Sequence, residues 1–175
     1  MVKTDIKHIG IIPDGNRRFA KYLMKHPWEG HEFGLKKIKE VLGWCREIGI
    51  IYVTLYAFSI ENFNRPKKEF EMIMSALKKE FTSIVEDKNH DVHKDKVNIK
   101  VIGRRHMLSP ELQDLIKKTE KLTENYNDYY LNLAIAYGGR AEIVDACKSI
   151  AKMAINREID INSLNVDSFR NYLYT

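Results

Sequence analysis

Short apolar stretches alternate along this chain with longer segments whose apolar residues recur every three or four positions. The short stretches are rich in Val, Ile and Tyr, as β-strands are, and they fall at about 7–13, 51–58, 97–102 and 130–137. The longer segments have the spacing of amphipathic helices, and they fall at roughly 31–48, 67–86, from 110 onward and from about 140 to 155, with a further start near 165. Strands that alternate with helices are typical of a parallel β-sheet flanked by helices, so we predict an α/β fold.

Size and composition limit the class of protein. The 175 residues, 44% of them hydrophobic, can bury one core, which predicts a single domain over residues 1–175. No apolar stretch is long enough to span a bilayer and the N-terminus lacks the apolar segment of a secretory signal, so we expect a cytoplasmic protein. Cys45 and Cys147 fall on predicted apolar helix faces, where reduced, packed thiols are expected. The charged segment 86–96 predicts a solvated loop with surface histidines.

A net charge of +5 indicates an anionic partner, and the polar residues indicate where it binds. Polar segments that contain arginine follow all four predicted strands, at 14–18, 59–66, 103–105 and 138–140. The carboxyl ends of parallel strands share one edge of the sheet, where open α/β folds bind ligands. Guanidinium groups bind phosphate oxygens bidentately, so this edge suits a diphosphate. Asp14 lies within the basic cluster and is suited to hold Mg²⁺, which prefers carboxylate and phosphate oxygens.

Each of these segments also has a plain structural interpretation. Asp14-Gly15-Asn16 alone would be a tight turn, and Gly138-Gly139 a close strand-to-helix connection. His31, at the head of a predicted helix, could simply face solvent. Independent turns would not be expected to place arginine at every strand end, which favours one shared site. A basic phosphate-binding or nucleic-acid-binding module is an alternative that charge alone leaves open.

Four stretches resemble, in order, the motifs of the cis-prenyltransferases, the family of undecaprenyl and dehydrodolichyl diphosphate synthases. They are HIGIIPDGNRRFA from His8, the pair Gly30-His31 followed by Gly34, TLYAFSIENFNRP from Thr54, and LNLAIAYGGRAEIV from Leu131. The double arginine at 17–18 and the stretch LSPELQDLIKKTEKLTENYN are more similar to archaeal and eukaryotic members. The resemblance implies the family's fold, with an apolar tunnel. It also implies Mg²⁺-dependent condensation of isopentenyl diphosphate onto an allylic diphosphate, farnesyl or geranylgeranyl, to make a long-chain polyprenyl diphosphate.

Roles for individual residues follow from this resemblance. Asp14 would bind Mg²⁺ and help the allylic diphosphate leave, and Asn62 would lie beside the condensing isopentenyl unit. Because an amide is a poor base, we expect Asn62 to position the substrate and the diphosphate itself to accept the proton. The residues implied in substrate binding are Gly15, Asn16, Arg17, Arg18, Phe19, His31, Ser59, Ile60, Glu61, Phe63 and Arg65.

The resemblance also implies partners and a place for the product. The expected partners are the two diphosphate substrates and a second copy of the chain in a homodimer, with no nucleic acid and with peripheral membrane contact for product release. The apolar helix over 70–85, small Ala57 and the inner side of strand 130–137 would wall the tunnel. An ordinary hydrophobic core demands the same apolar helix face, so the sequence leaves both interpretations of this helix open.

Three departures from the family pattern carry expectations of their own. Pro27 stands where many members have a diphosphate-binding arginine, so that contact would be missing or come from elsewhere. Phe19 and Phe63 replace the commoner tyrosine or tryptophan, which keeps the aromatic ring and removes a polar group. The family's C-terminal motif, which binds isopentenyl diphosphate, has no counterpart in the final SFRNYLYT. We therefore expect a C-terminally incomplete form, with a catalytically silent accessory subunit as the alternative.

Overall fold

The computed structural model describes residues 4–174, and strands alternate with helices throughout. The strands are β1 (His8–Ile11), β2 (Tyr52–Ser59), β3 (Val97–Ile102) and β4 (Tyr129–Tyr137). The α-helices are α1 (Asn16–Tyr22), α2 (Gly30–Glu47), α3 (Lys67–Glu86), α4 (Asp91–Lys94), α5 (Pro110–Thr123), α6 (Gly139–Ile155) and α7 (Val166–Phe169). Short 3-10 turns lie at Pro27–Glu29, Ile60–Asn64, Arg105–Met107, Ile161–Ser163 and Arg170–Tyr172. All four predicted strands are therefore confirmed.

The strands form one parallel sheet in the order β1-β2-β4-β3. Strand β2 lies between β1 and β4, so Val53 pairs with Ile9 on one side and with Leu131 on the other. Parallel neighbours require crossover connections, and the helices between the strands provide them. This arrangement confirms the predicted α/β fold and brings the segments that follow the four strands to one edge of the sheet.

Helices α5 and α3 begin where the sequence predicts. Helix α5 starts at Pro110, and the hydroxyl of Ser109 accepts a hydrogen bond from the backbone amide of Leu112 at 3.3 Å. Serine before proline is a favoured helix start because the hydroxyl satisfies an amide that would otherwise lack a partner. Helix α3 runs over the predicted residues, and its Phe81 and Ile84 are almost fully buried.

Two clusters of buried side chains hold the helices to the sheet. The larger cluster joins β2, β4, α3 and α5 through Phe58, Phe81, Ile116 and Ile135. The smaller one surrounds Cys45, which is buried as predicted. Among residues 4–174, no helix combines the length and the apolar character needed to cross a membrane.

Two local predictions are wrong. Cys147 is exposed, because α6 turns the face that carries Ala146 and Ile150 toward the protein and Cys147 lies beside that face. The segment 86–96 contains the short helix α4, and its His93 is partly buried, with Nε2 2.7 Å from the carbonyl oxygen of Ile84. The helix start predicted near 165 is confirmed, because α7 begins at Val166; it is a single turn that continues as a 3-10 turn.

Candidate active site

The turn between β1 and α1 places one carboxylate beside an arginine at the edge of the sheet. Gly15 has φ +90°, a left-handed conformation that glycine adopts without the steric cost of a side chain. Asp14 accepts a hydrogen bond from the amide of Gly15 at 2.5 Å and another from Nη2 of Arg18 at 2.6 Å. The side chains of Asp14 and Arg18 are 81% and 79% exposed, so both can reach a ligand.

Two glycines of α2 allow this turn to lie against the helix. A Cβ atom at Gly30 would collide with the carbonyl oxygen of Asn16, and one at Gly34 would collide with the Asn16 side-chain oxygen. The facing residue of α1, Ala20, is small and fully buried. The glycines therefore fix the position of Asn16, one of the predicted substrate-binding residues, against α2.

A buried carboxylate, Glu69, organises three basic side chains of the site. Its side chain is 1% exposed, and it contacts three predicted substrate-binding residues. Arg65 donates a hydrogen bond to its Oε1, Nε2 of His31 lies 3.1 Å from the same oxygen, and Nε of Arg17 lies 3.7 Å from its Oε2. Burial raises the pKa of Glu69, but the hydrogen bonds from His31 and Arg65 and the charges of both arginines outweigh it and hold the pKa below its ordinary value. Glu69 is thus an anion that draws three basic side chains together.

These residues surround an open, basic cavity of about 510 Å³. Its lining contains seven predicted site residues, namely Asp14, Gly15, Asn16, Arg17, Arg18, His31 and Arg65. Lys21, Lys25 and Pro27 complete it. Asp14 is the one acidic residue among those that line it, so the cavity suits a ligand with several negative charges.

A second cavity of about 360 Å³ adjoins the first and leads inward between α2, α3 and the sheet. Asp14, Asn16, His31 and Arg65 line both cavities, and Ser59 and Asn62 line the second. Away from this mouth the walls are mainly apolar, formed by Leu35, Ile38, Leu55, Ala57, Ile73, Ala76, Leu77, Phe81, Ile84 and Leu133. A third cavity of about 180 Å³ shares Leu35, Ile38 and Ile84 with it and extends toward α4. The apolar face of α3 therefore lines a hollow as well as packing in the core.

In the segment after β2, residues 59–65, some side chains line the 360 Å³ cavity and others pack in the protein interior. Oδ1 of Asn62 accepts a hydrogen bond from the amide of Ser59 at 3.0 Å, which fixes the turn. Phe63 packs against Phe58 with ring centroids 5.1 Å apart, so its ring belongs to the core. Glu61 is exposed, and hydrogen bonds from its own backbone amide and from Ser59 lower its pKa.

Like Phe63, three other predicted substrate-binding residues do not line the basic cavity or the 360 Å³ cavity. These are Phe19, Ile60 and Glu61. Phe19 is 46% exposed, and its ring packs edge-on against Phe33 with centroids 5.5 Å apart. Ile60 lies where a Cβ atom on Gly138 would touch it, at 3.3 Å. The side chains of Phe19, Ile60 and Glu61 therefore pack or project outside the two cavities.

The arginines after β3 have partners within the protein, which corrects the expectation that every strand end offers a free guanidinium. Arg104 donates two hydrogen bonds of 2.8 Å to Asp145, and Arg105 donates two of 2.6 Å to Glu120. These bidentate pairs use the groups that would otherwise bind phosphate. Arg140, after β4, is exposed.

A hydrogen-bonded network holds residues 170–174 against α6. Tyr174 donates its backbone amide to Glu142 at 2.7 Å and its hydroxyl to Asp145. Tyr137 donates its hydroxyl to the other oxygen of Glu142 at 2.5 Å, and burial with this hydrogen bond raises the pKa of Tyr137 to about 12. The hydrogen bond from Arg104 and that from Tyr174 lower the pKa of Asp145 to about 2.

The basic cavity fits Mg²⁺ only together with a ligand that supplies oxygen atoms. Within residues 4–174, no group of three or more His, Cys, Asp or Glu side chains is arranged to hold a metal ion. Asp14 offers one exposed carboxylate, and Mg²⁺ is commonly held by one or two carboxylates together with phosphate oxygens and water. The residues present therefore fit a metal ion that arrives with a diphosphate.

Sequence reasoning missed Glu69, Lys21 and Lys25. Glu69 could have been found from its spacing, because a residue four positions after Arg65 lies on the same side of a helix turn. The lysines line the cavity beside Pro27 and offer cations where the family's arginine is absent.

Comparisons with known proteins match the sequence to one family. The sequence model of the family described as "Putative undecaprenyl diphosphate synthase" matches residues 12–175. A tritrans,polycis-undecaprenyl-diphosphate synthase (geranylgeranyl-diphosphate specific) from Pyrococcus horikoshii is 46% identical over 168 residues, which are 96% of this chain and 63% of the relative. The synthase of the same name from Methanocaldococcus jannaschii is 44% identical over 97% of this chain and 60% of its own length. The chain thus spans less than two thirds of these curated relatives.

Solved structures resemble the fold along nearly the whole chain. Lavandulyl diphosphate synthase from Lavandula x intermedia, in complex with dimethylallyl diphosphate, superimposes with a TM-score of 0.86 at 30% identity, over 96% of this chain and 70% of that one. A probable undecaprenyl diphosphate synthase from Campylobacter jejuni superimposes with a TM-score of 0.72 at 28% identity, over 97% of this chain and 70% of that one.

Proposed function

Because the chain belongs to the undecaprenyl diphosphate synthase family of cis-prenyltransferases, we propose that it binds an allylic prenyl diphosphate and elongates it with isopentenyl diphosphate. One observation carries the proposal: the basic cavity opens into the apolar one, and Asp14, Asn16, His31 and Arg65 line both. A prenyl diphosphate has the matching shape, with a polyanionic head and an apolar tail. The names of the relatives favour geranylgeranyl diphosphate as the primer.

The head of the primer would bind among the arginines of the basic cavity. Within residues 4–174, Arg18 is paired with Asp14 alone, and it lies at the surface, so a diphosphate can compete for it. Arg17 and Arg65 are held by Glu69 and present a fixed positive charge. Ordered cations of this kind stabilise a leaving diphosphate more than a mobile lysine would, because less reorganisation is needed as negative charge develops.

The proposed role of Asp14 follows from the cleavage of the allylic carbon–oxygen bond. The bond breaks with both electrons moving to the diphosphate, so negative charge increases beside Arg17 and Arg18. Asp14 and the diphosphate oxygens would hold Mg²⁺, which supplies charge neutralisation for the departing group. The chain's own contribution is to bind the diphosphate, orient the allylic carbon toward the mouth of the apolar cavity and keep that carbon away from water.

Condensation then forms a carbon–carbon bond to the isopentenyl unit, which loses a proton. Asn62 lies at the mouth, and its Oδ1 already accepts the amide of Ser59, so this oxygen, a weak base in any amide, is partly used within the protein. We assign Asn62 the task of positioning the isopentenyl unit through its NH₂ group. The diphosphate oxygens, which are better proton acceptors than an amide, would take the proton.

The growing chain would enter the apolar cavity between α2 and α3. The walls supplied by Ile73, Leu77 and Leu133 offer the contacts that remove isoprene units from water. The adjoining 180 Å³ cavity lies in line for a longer product. The homodimer, the bound Mg²⁺ and the membrane contact, which the family resemblance implies, remain predictions.

The test is incorporation of labelled isopentenyl diphosphate onto geranylgeranyl diphosphate in the presence of Mg²⁺. We expect the chain to elongate the primer and Asp14→Ala to lose at least about a hundredfold in rate, because the charge on the leaving group is then uncompensated. Asp128→Ala, an exposed aspartate remote from both cavities, is the matched control and should retain full activity. Absence of elongation by the chain and by both variants would contradict the proposed activity.

A further inference from the structure

A buried carboxylate holds His31 at the border between the basic cavity and the 360 Å³ cavity. The Nε2 atom of His31 lies 3.1 Å from Oε1 of Glu69, and the side chain of His31 is 20% exposed. Because Glu69 is ionised in this network, its oxygen can only accept a hydrogen bond. The proton of the imidazole ring therefore lies on Nε2, and Nδ1 carries a free lone pair.

Nδ1 is the ring nitrogen that His31 offers to a ligand. It has no hydrogen-bond partner within residues 4–174, and the residue lines both cavities. An imidazole nitrogen with a free lone pair can bind a proton and then becomes a charged hydrogen-bond donor. The same pairing of a buried carboxylate with an imidazole orients the histidines of catalytic triads.

The charges around His31 decide when Nδ1 binds this proton. Arg17 and Arg65 face the same carboxylate, and the amino end of α2, where His31 lies, adds partial positive charge. The other charged residues that line the two cavities are Asp14, Arg18, Lys21, Lys25 and Glu80. Positive charge therefore predominates, which favours the singly protonated ring. A diphosphate brings several negative charges into the basic cavity and reverses this balance.

We propose that His31 takes up a proton when the basic cavity binds a diphosphate, and that Glu69 is the positioning residue for this step. The proton comes from solvent and bonds to Nδ1, which then donates a charge-assisted hydrogen bond to a diphosphate oxygen. Glu69 keeps the ring oriented and places a negative charge beside the imidazolium. The proton returns to solvent when the diphosphate leaves. The inference rests on the proposed function for the identity of the ligand, and it requires no prenyl transfer.

Calorimetry with inorganic diphosphate tests the proton uptake. Binding is measured near neutral pH, without Mg²⁺, in buffers that differ in their heat of ionisation, because the dependence of the binding heat on the buffer gives the number of protons taken up. We expect the parent chain to take up about one proton more than His31→Gln. We also expect His31→Gln to bind about tenfold more weakly, which is the effect of one charged hydrogen bond. His106→Gln, which alters an exposed histidine outside the lining of both cavities, is the matched control and should behave as the parent does.

Variants of Glu69 test its positioning role. Glu69→Asp keeps the negative charge and should retain the proton uptake. Glu69→Gln should lose most of it, because the imidazolium would then face Arg17 and Arg65 without the compensating anion. Nitrogen NMR of the parent chain avoids any change at this buried site. The spectrum should show the His31 proton on Nε2 alone before diphosphate is added, and on both ring nitrogens afterwards.

The possible results separate this inference from the proposed function. The inference is overturned if the parent chain and His31→Gln take up equal numbers of protons, if Nδ1 stays unprotonated in the bound state, or if His106→Gln lowers the uptake as much. Equal uptake by Glu69→Gln and the parent would overturn the role of Glu69. Diphosphate binding without proton uptake leaves the proposed function standing, whereas proton-linked binding without elongation contradicts the proposed function alone.

Discussion

Neutralising Glu69 should destabilise the protein far more than neutralising an exposed glutamate. Its carboxylate is 1% exposed and contacts His31, Arg17 and Arg65. Removal of one partner from a buried ion pair costs about 3–5 kcal/mol, because the remaining charges lose their compensation. Glu69→Gln retains the shape and one oxygen acceptor, so we expect about 3 kcal/mol. At roughly 2–4 °C for each kcal/mol in a chain of this size, the melting temperature should fall by about 6–12 °C.

The loss should depend on pH with a definite sign. The pKa of Glu69 in the folded protein lies below its ordinary value of 4.5, so the unfolded chain binds its proton more readily. The charge therefore stabilises the fold fully above pH 4.5, and this contribution is lost as the pH falls through the folded-state pKa. The difference in unfolding free energy between the parent and Glu69→Gln should be constant near neutral pH and shrink in acid.

The assay is thermal and denaturant unfolding followed by circular dichroism from neutral pH into acid. Glu40→Gln is the matched control, because Glu40 also forms an ion pair, with Lys37, but its side chain is 51% exposed. Exposed pairs contribute little, so this control should change stability by less than about 0.5 kcal/mol. The reasoning is refuted if Glu69→Gln is as stable as Glu40→Gln, or if its loss of stability is the same in acid as at neutral pH.

Three further predictions test other parts of the structure. Gly34→Ala should displace the Asn16 side chain, with a loss of about 1–3 kcal/mol in denaturant unfolding and weaker binding of inorganic diphosphate in calorimetry; unchanged values would contradict the close approach. Arg104→Gln should raise the pKa of Asp145 from about 2 toward its ordinary 3.8 in a carboxyl NMR titration, and no movement would show that the pair does not persist in solution. Ala76→Trp should fill the apolar cavity and weaken geranylgeranyl diphosphate binding while leaving inorganic diphosphate binding unchanged; equal effects on both ligands would contradict a tail site there.

The fold could be predicted from the sequence because its elements depend on local patterns. The β-branched runs and the spacing of apolar residues along α3 decide strand or helix within a few neighbours. Parallel order then follows from the alternation itself, and it brings the segments at 14–18 and 59–66 to one edge. Most of the candidate site could be predicted for the same reason.

The remaining features depend on partners that are distant in sequence. Arg104 pairs with Asp145, 41 positions later, and nothing in the local sequence shows that this guanidinium is already bound. Cys147 was misplaced because the apolar residues of α6 extend around the helix beyond the face that the protein covers, and Ile143 is 54% exposed. Glu69 was missed because a charged residue on a helix is usually solvated, whereas this one is buried and contacts Arg17 and His31, which are distant in sequence.

Binding of diphosphates with tails of increasing length tests the joined site most directly. In calorimetry with Mg²⁺, inorganic diphosphate would occupy the basic cavity alone, whereas farnesyl and geranylgeranyl diphosphate would also fill the apolar one. Burial of two methylene groups already contributes about 1.6 kcal/mol, so each longer tail should bind at least about tenfold more tightly until the cavity is full. Equal affinity for all three ligands would show that the apolar cavity does not receive a prenyl chain, and would contradict the proposed function.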